Sequence, residues 1–225
     1  MPTASIHPAF LPGLSSALTS AADPHRAPAM RAYMRDQFDV LGVGTPQRRA
    51  AGKPLLSGLK GAGASALLAH AGALWLQPQR EYQYVALDML AIHWKELTSA
   101  DIPELFTLVA DKPWWDTVDA MAGIIGDILR HQHDYMDQAL HDNNMWIRRI
   151  ALLHQLGWRD QTDEQRLFND CLTLAHEKEF FIQKAIGWAL RDYARHAPET
   201  VRLFTHKEKE RLAPLSFREA NKHLG

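Results

Sequence analysis

The sequence predicts an all-α protein, an α-solenoid of stacked helical repeats curved around a concave face. Three observations predict this fold class: apolar residues recur three and four positions apart in almost every segment, strand-like alternation persists nowhere, and similar helix starts recur at a near-constant period. The spacing is clearest over residues 79–97, 163–177 and 179–196. The predicted loops are rich in Pro, Gly, Asn or Asp and lie at 42–46, 141–144 and 213–216, with 51–64 as the most flexible stretch.

Four similar helix starts form the repeat. They are PWWDTVDAMA at 113, MWIRRIALLH at 145, FFIQKAIGWAL at 180 and SFREANKHLG at 216, separated by 32, 35 and 36 residues. Each opens with an aromatic residue and follows a shorter helix. Helix pairs at this period stack into a solenoid with a continuous core and a concave face. An irregular helical bundle is the alternative that the spacing leaves open.

The composition is that of an ordinary globular chain, with 225 residues, 46% of them hydrophobic and 23% charged. We expect a single helical-repeat domain over residues 1–225, in which residues 1–27 form a short helix and a loop rather than a signal peptide. The one cysteine, Cys171, excludes an internal disulfide and a cysteine-cluster metal site, so a reducing cytoplasm is the simplest location. No apolar run approaches the roughly 20 residues of a membrane span. We therefore expect a monomer without membrane contact.

The net charge of −1 argues against binding nucleic acid by overall charge. The charges are unevenly distributed, however. Residues 101–145 hold nine acidic against two basic side chains, whereas residues 178–225 hold ten basic against six acidic ones. One end of the chain could therefore meet a polyanion, and charge alone leaves nucleic-acid binding open.

The stretch KPWWDTVD at 112–119 begins the most informative helix. With an advance of about 100° per residue, one arc of this helix is apolar and predicts a core face that includes Trp114. A second stripe lies about a quarter-turn away and contains Trp115, Asp119, Ala122 and Gly126. Trp115 and Asp119 are thus candidates for a presented pair beside a shallow track of small residues. The alternative is a helix–helix contact at the small residues with a solvated aspartate.

The helix predicted over 179–196 carries a tryptophan within a basic stripe. With Lys184 as the reference, Trp188, Arg191 and Arg195 lie within about 40° of it, opposite an apolar face. Basic groups bind phosphates, and an indole stacks on a base or faces a cation, so this stripe indicates a nucleic-acid contact. A tryptophan packed under its arginines at a contact between repeats is the alternative.

The two arginines in MWIRRIALLH are a weaker signal. Arg149 lies on the border of the core arc, where an inner helix faces the groove, and Arg148 points away from the core. Paired arginines at such positions are usually only solvated, so this helix by itself decides little.

Other chemistries find no support in the sequence. Three histidines, His131, His133 and His141, do not share a helix face, and no carboxylate completes a set of metal ligands with them. We therefore interpret them as surface residues at a helix end and predict no metal. The chain has no P-loop, no dinucleotide-binding glycine fingerprint, no G-x-S-x-G and no HExxH motif.

The sequence resembles the AlkD-type DNA alkylation-repair glycosylases, HEAT-like helical-repeat proteins that remove alkylated purines from DNA. The most specific strings are WWDxVD and KEFFxxKAxGWxLR. The resemblance extends over nearly the whole chain from about residue 28 and is carried by residues 30–49, 80–90, 112–119, 143–153, 178–194 and 212–224.

The resemblance implies an active-site trio of Trp115, Asp119 and Trp188. It also implies contacts to double-stranded DNA, for which the candidate residues are Tyr33, Arg148, Arg149, Lys184 and Arg191. The choice between Arg148 and Arg149 stays open, and Tyr33 depends on the resemblance alone. The stripes found from helix angles independently select Trp115, Asp119, Trp188 and Arg191.

The implied activity is base excision of cationic purines such as 3-methyladenine and 7-methylguanine. A purine alkylated on a ring nitrogen departs as a neutral base, so one acid without a partner acid suffices, and no metal or organic cofactor is needed. Asp119 would stabilise the oxocarbenium-like sugar and position water, and the two tryptophans would flank sugar and base. The rival hypothesis is a helical-repeat scaffold that binds DNA or protein without catalysis.

Overall fold

The computed structural model describes residues 8–130 and 132–224. These residues form helices, short 3-10 turns and loops, and within them no strand occurs. The prediction of an all-α helical-repeat fold is confirmed. The chain divides into two compact units, Met1–Glu104 and Leu105–Gly225. The prediction of one domain over residues 1–225 stays a prediction.

The first unit contains a helix near the N-terminus, and the prediction of a helix and a loop over residues 1–27 stays a prediction, because residues 1–7 lie outside the described part. Within this unit α3 packs against α1 and α5, and α4 packs against α5. The helices are α1 (Phe10–Ser20), α2 (Ala27–Tyr33), α3 (Thr45–Ser57), α4 (Ala64–Trp75) and α5 (Arg80–Ile92). A further helix, α6 (Ile102–Ala110), contains the boundary between the units.

The loop between α2 and α3 is fixed by one buried carboxylate. Glu81 accepts hydrogen bonds from the backbone N–H groups of Leu41, Gly42 and Val43, at 2.9–3.1 Å. Gly42 has φ +86°, and a Cβ there would lie 2.0 Å from the carbonyl oxygen of Asp23. The turn therefore requires glycine, and the buried carboxylate of Glu81 accepts the backbone hydrogen bonds that hold the turn in place.

The prediction of a flexible loop over 51–64 is wrong for its first half. Helix α3 continues to Ser57 with Pro54 inside its last turns, where proline removes one backbone hydrogen bond. Leu56, two residues later, is 4% exposed, and its burial helps offset that loss.

The second unit contains the four predicted repeat helices, each preceded by another helix, although the helix before the last one is longer than it and not shorter as predicted. Helices α7 and α9, α9 and α11, and α11 and α13 contact each other in succession, as stacked repeats require. The helices are α7 (Trp115–Leu129), α8 (Met136–Ala139), α9 (Met145–Leu153), α10 (Glu164–Thr173), α11 (Phe180–Tyr193), α12 (Pro198–Lys207) and α13 (Pro214–Ala220).

Helix starts in this unit follow local capping chemistry. Asn144 accepts a hydrogen bond from the N–H of Trp146 at the start of α9, and Asp163 accepts one from Arg166 at the start of α10. Helix α7 begins later than its sequence suggests, because Trp114 has extended backbone angles (φ −158°, ψ 159°) and lies outside the helix. The helical angle assigned to Trp114 therefore does not apply.

Small residues bring neighbouring helices into close contact. A Cβ on Gly126 of α7 would lie 1.8 Å from the carbonyl oxygen of His154, and Ala122 is fully buried. The expected shallow track of small residues is thus wrong, because α9 covers it. Gly187 of α11 allows a similarly close contact with α13, because a Cβ on Gly187 would lie 2.9 Å from the carbonyl oxygen of Ser216.

The core of the second unit contains its single thiol. Cys171 on α10 is fully buried, and burial raises the pKa of its thiol. None of the helices in the described residues combines the length and apolar character needed to span a membrane.

Candidate functional site

The site begins with an ion pair between two neighbouring repeats. Arg149 of α9 donates from Nε to Oδ1 of Asp119 at 2.6 Å and from Nη2 to Oδ2 at 2.9 Å. This is the bidentate fork that a guanidinium forms with a carboxylate. The Asp119 side chain is 12% exposed and residue Arg149 is 4% exposed, so the pair is shielded while the acid keeps an open edge.

A third helix joins this pair. Nη1 of Arg149 also donates to the carbonyl oxygen of Phe181, in the first turn of α11. A carbonyl in the first turn of a helix accepts its intrahelical bond from four residues on, and its second lone pair is available to Arg149. One guanidinium therefore fixes the relative positions of α7, α9 and α11 at the acid.

An aromatic cluster packs beside the guanidinium. The ring of Trp114 lies 5.3 Å from that of Phe181 and 5.9 Å from that of Trp146, and the rings of Trp146 and Phe181 are 4.9 Å apart. Trp114 packs against other rings as predicted, but from an extended residue that is only partly buried. The Phe181 ring centroid lies 5.9 Å from Cζ of Arg149, so the cluster covers one side of the guanidinium.

Two opposing effects set the acidity of Asp119. Burial raises the pKa of the carboxyl above its ordinary value of 3.8, and the hydrogen bonds and charge of Arg149 act in the lowering direction. The two-bond geometry with a guanidinium is that of an ionised carboxylate. Asp119 is thus an anion held in a poorly hydrated place, which makes it a stronger base than a solvated aspartate.

Trp115 is the first residue of α7, one helical turn before Asp119. Residues four apart share a helix face, so the indole and the carboxylate lie on the same side of α7. Trp115 is partly exposed, in agreement with a side chain that is neither sealed in the core nor fully solvated.

Trp188 lies on α11, two turns after Phe181 and on the same face, an axial separation of about 10 Å. It too is partly exposed. Lys184 and Arg191, one turn before and nearly one turn after it, flank Trp188 on that face. The basic stripe predicted on α11 therefore exists from Lys184 to Arg191, whereas Arg195 lies beyond the helix, which ends at Tyr193.

The stripe has an unexpected counter-ion. Nζ of Lys184 lies 3.0 Å from Oε1 of Glu219 on α13, and Nη1 of Arg191 lies 2.6 Å from Oε2 of the same carboxylate. The hydrogen bond from Lys184, followed by that from Arg191, lowers the pKa of Glu219. Lys184 and Arg191 remain 37% and 20% exposed. Charge counting along the sequence could not find Glu219, since its neighbours in space are about 30 residues away.

Arg148 forms its ion pair with a different acid, Glu177. Its Nε and Nη2 donate to the two oxygens of Glu177 at 2.6 and 2.9 Å, and its Nη1 donates to the carbonyl oxygens of Asp142 and Asn143. The structure thus brings Arg149, and not Arg148, to the acid. Both guanidinia have partners within the protein, and their contacts with DNA stay predictions.

Tyr33 ends α2 in the first unit and is 71% exposed. Its side chain is therefore accessible, as a DNA-contacting aromatic must be. Its role at the site stays a prediction.

A polar cluster behind α9 was missed by the sequence interpretation. Nδ1 of His133 lies 3.0 Å from Nε2 of His154, which is buried, and Nε2 of His133 lies 3.4 Å from Asp163. Burial lowers the pKa of His154 to about 3, so this imidazole is neutral. The interpretation of His133 as a plain surface residue is wrong. His141 is exposed, and His131 lies outside the described residues.

The same cluster includes a buried acid, Asp170. Nε of Arg166 lies 3.2 Å from Asp170, whose pKa burial raises to about 7. In the described part of the chain, no three His, Cys, Asp or Glu side chains are grouped as a metal site would require.

Stacked helix pairs joined by an acid–arginine pair, with partly exposed tryptophans on α7 and α11, define a helical-repeat protein with a polar site on its stacked helices. The chain belongs to the DNA alkylation repair enzyme family, whose model matches residues 14–224. It is therefore a member of a DNA repair enzyme family, and the AlkD-type resemblance is confirmed.

One solved structure supports this assignment. It is a predicted DNA alkylation repair enzyme from Enterococcus faecalis, with a TM-score of 0.83 and 32% sequence identity, and the match covers 91% of this chain and 97% of that one. No match is found among curated proteins.

Proposed function

We propose that this protein is a DNA glycosylase that hydrolyses the N-glycosidic bond of cationic alkylated purines, such as 3-methyladenine and 7-methylguanine, in double-stranded DNA. The observation that best supports the proposal is the Asp119 carboxylate, which Arg149 holds on the helix face that also carries Trp115. Membership of a DNA alkylation repair family supports the same class of substrate.

The chemistry needs one anion and little else. As the glycosidic bond lengthens, the sugar gains positive charge and approaches an oxocarbenium ion. A ring-alkylated purine is already cationic and leaves as a neutral base, so no general acid has to protonate it. Asp119 stabilises the sugar cation and accepts a proton from the water that attacks it. Its burial increases both effects, because charges interact more strongly away from water.

The two tryptophans act on the same positive charge. Trp115 and Trp188 flank the cationic sugar and base, and each cation–π contact contributes roughly 0.5–2 kcal/mol. Tyr33 is a further aromatic contact. We also propose that the base is released without being enclosed in a deep pocket, so selectivity depends on the lability of the cationic lesion.

The basic residues divide into two roles. Lys184 and Arg191, which are partly exposed beside Trp188, bind phosphates and fix the register of the duplex. Arg149 orients Asp119 and keeps it ionised, and any phosphate contact by Arg149 or Arg148 comes in addition to the internal bonds that each already forms.

The direct test is incubation with methylated duplex DNA followed by quantification of released bases and abasic sites. The proposal expects 3-methyladenine and 7-methylguanine to be released while uracil in a matched duplex is left. Binding without release of any base would contradict the proposal and favour a non-catalytic DNA-binding scaffold. Absence of both binding and release would favour a protein-binding scaffold.

A further inference from the structure

We propose that Glu219 is an internal counter-charge that competes with DNA phosphates for Lys184 and Arg191 and so limits affinity for undamaged duplex DNA. This inference rests on the proposed function, since it assigns a regulating residue to the same phosphate contacts. One carboxylate contacts both cations that flank Trp188, at 3.0 Å and 2.6 Å.

The position of Glu219 is fixed by the packing of α13 on α11. A Cβ on Gly187 would lie 2.4 Å from the Cβ of Glu219, so the two backbones approach as closely as glycine permits. Oγ of Ser216 donates to the carbonyl oxygen of Gln183 at 2.8 Å and anchors the start of α13. The backbone of α13 therefore places the Glu219 carboxylate over the basic stripe.

Both cations can receive a phosphate while Glu219 stays in place. Lys184 has three N–H donors, and its ion pair with Glu219 is to one carboxylate oxygen, Oε1. Both contacts of Arg191 with Glu219 use Nη1, so the edge formed by Nε and Nη2 faces away from that bond and has the fork geometry that suits a phosphate. A bound phosphate would then lie within one Debye length, about 8 Å, of the carboxylate.

In this arrangement the repulsion between Glu219 and a DNA phosphate outweighs the benefit that Glu219 gives by orienting Lys184 and Arg191. Glu219 organises the cations through its two oxygens, whereas the amide of glutamine has the same shape but one oxygen, which can still accept a hydrogen bond from one of the two cations. The substitution Glu219→Gln therefore removes the negative charge and keeps the side-chain shape and one of the two contacts. With the charge gone, Lys184 and Arg191 become full counter-ions for the DNA and release more condensed cations on binding.

The test measures binding of an undamaged duplex by fluorescence anisotropy over a range of KCl concentrations. Glu210→Gln is the matched control, because Glu210 is exposed and its substitution changes the net charge by the same amount. Glu219→Gln should bind about 3- to 10-fold more tightly than the control at about 50 mM salt, with a steeper salt slope by up to about one phosphate contact. Equal binding by the two variants would overturn the inference. Weaker binding by Glu219→Gln would also overturn it, because the carboxylate would then act by orienting the cations.

A second comparison tests whether the effect passes through the cations. In a Lys184→Gln, Arg191→Gln background, the gain from Glu219→Gln should fall below about 2-fold if the residues are coupled. An undiminished gain would overturn the inference. Failure of the wild-type protein to bind any duplex would overturn the proposed function together with this inference, whereas normal wild-type binding with no change in Glu219→Gln would overturn the inference alone.

Discussion

Arg149 holds the carboxylate of Asp119 with two hydrogen bonds of 2.6 and 2.9 Å, across the contact between α9 and α7. Breaking a shielded pair of this kind by removing one partner costs about 3–5 kcal/mol, because the other charge stays buried. The pair is thus part of the fold as well as of the proposed site. Tests of its chemistry have to separate catalysis from stability.

Asp119→Asn should reduce base release from methylated duplex DNA by about 100-fold or more, because the anion that stabilises the sugar and accepts the proton is lost. Affinity for the duplex should change little. The measurement is single-turnover release of 7-methylguanine alongside anisotropy binding. Asp127→Asn is the matched control, since Asp127 lies on the same helix and forms a surface pair with Arg130. Wild-type release by a folded Asp119→Asn protein would contradict the proposed mechanism.

Arg149→Lys should lower the rate of base release on the order of 10- to 100-fold, because lysine keeps the charge but loses the fork that orients Asp119. Duplex affinity and its salt slope should stay close to wild type. Arg191→Gln should do the reverse, with weaker binding and a flatter slope. The single-turnover rate and the affinity separate the two roles: a loss of duplex affinity in Arg149→Lys without a loss in the rate of base release would mean that Arg149 acts mainly on phosphates.

Gly126→Ala should destabilise the protein by about 2–3 kcal/mol, because the new Cβ collides with the carbonyl oxygen of His154 and separates α7 from α9. Base release should fall with it, since the same contact sets the Asp119–Arg149 distance. Gly123→Ala on the same helix is the control. A Cβ there meets nothing within 4 Å, and the alanine should stabilise α7 by up to about 1 kcal/mol. Chemical denaturation measures both, and equal stabilities would show that the helices tolerate separation.

Asp170→Asn should change how stability depends on pH. The pKa of Asp170 is about 7 in the folded protein and 3.8 as its ordinary value, so the folded state binds more protons between those limits. Stability contributed by this group is therefore present at low pH and is lost as pH rises from about 4 to 7. The free energy of unfolding of Asp170→Asn relative to wild type should rise over that window by roughly 2–4 kcal/mol. Parallel curves from urea denaturation would contradict this.

Helix periodicity predicted the repeat helices well, because the pattern of buried residues is a local property of the sequence. Helices α9 and α11 begin at Met145 and Phe180, as predicted, and α7 and α13 begin within two residues of prediction. The pattern failed at Trp114, where extended backbone precedes the helix, and at Pro54, which a helix accommodates.

The candidate site was less predictable, because helix angles give the direction of a side chain but not the neighbour that meets it. A stripe of small residues such as Ala122 and Gly126 is equally consistent with an open track and with the closest possible helix contact. The partners of Asp119 and Arg191 lie about 30 residues away in sequence, on helices whose relative rotation only packing determines. The residue types were therefore predictable, and their pairing was not.

The burial of Cys171 has a consequence for a member of a DNA alkylation repair family, if alkylating agents form the proposed substrate. Such compounds inactivate enzymes by capturing thiolates, and this thiol is both inaccessible and held in its protonated form. The electrophiles that modify purines thus find no reactive sulfhydryl on this chain. Under the proposed function, the protein would keep working under the chemical stress that creates its substrate.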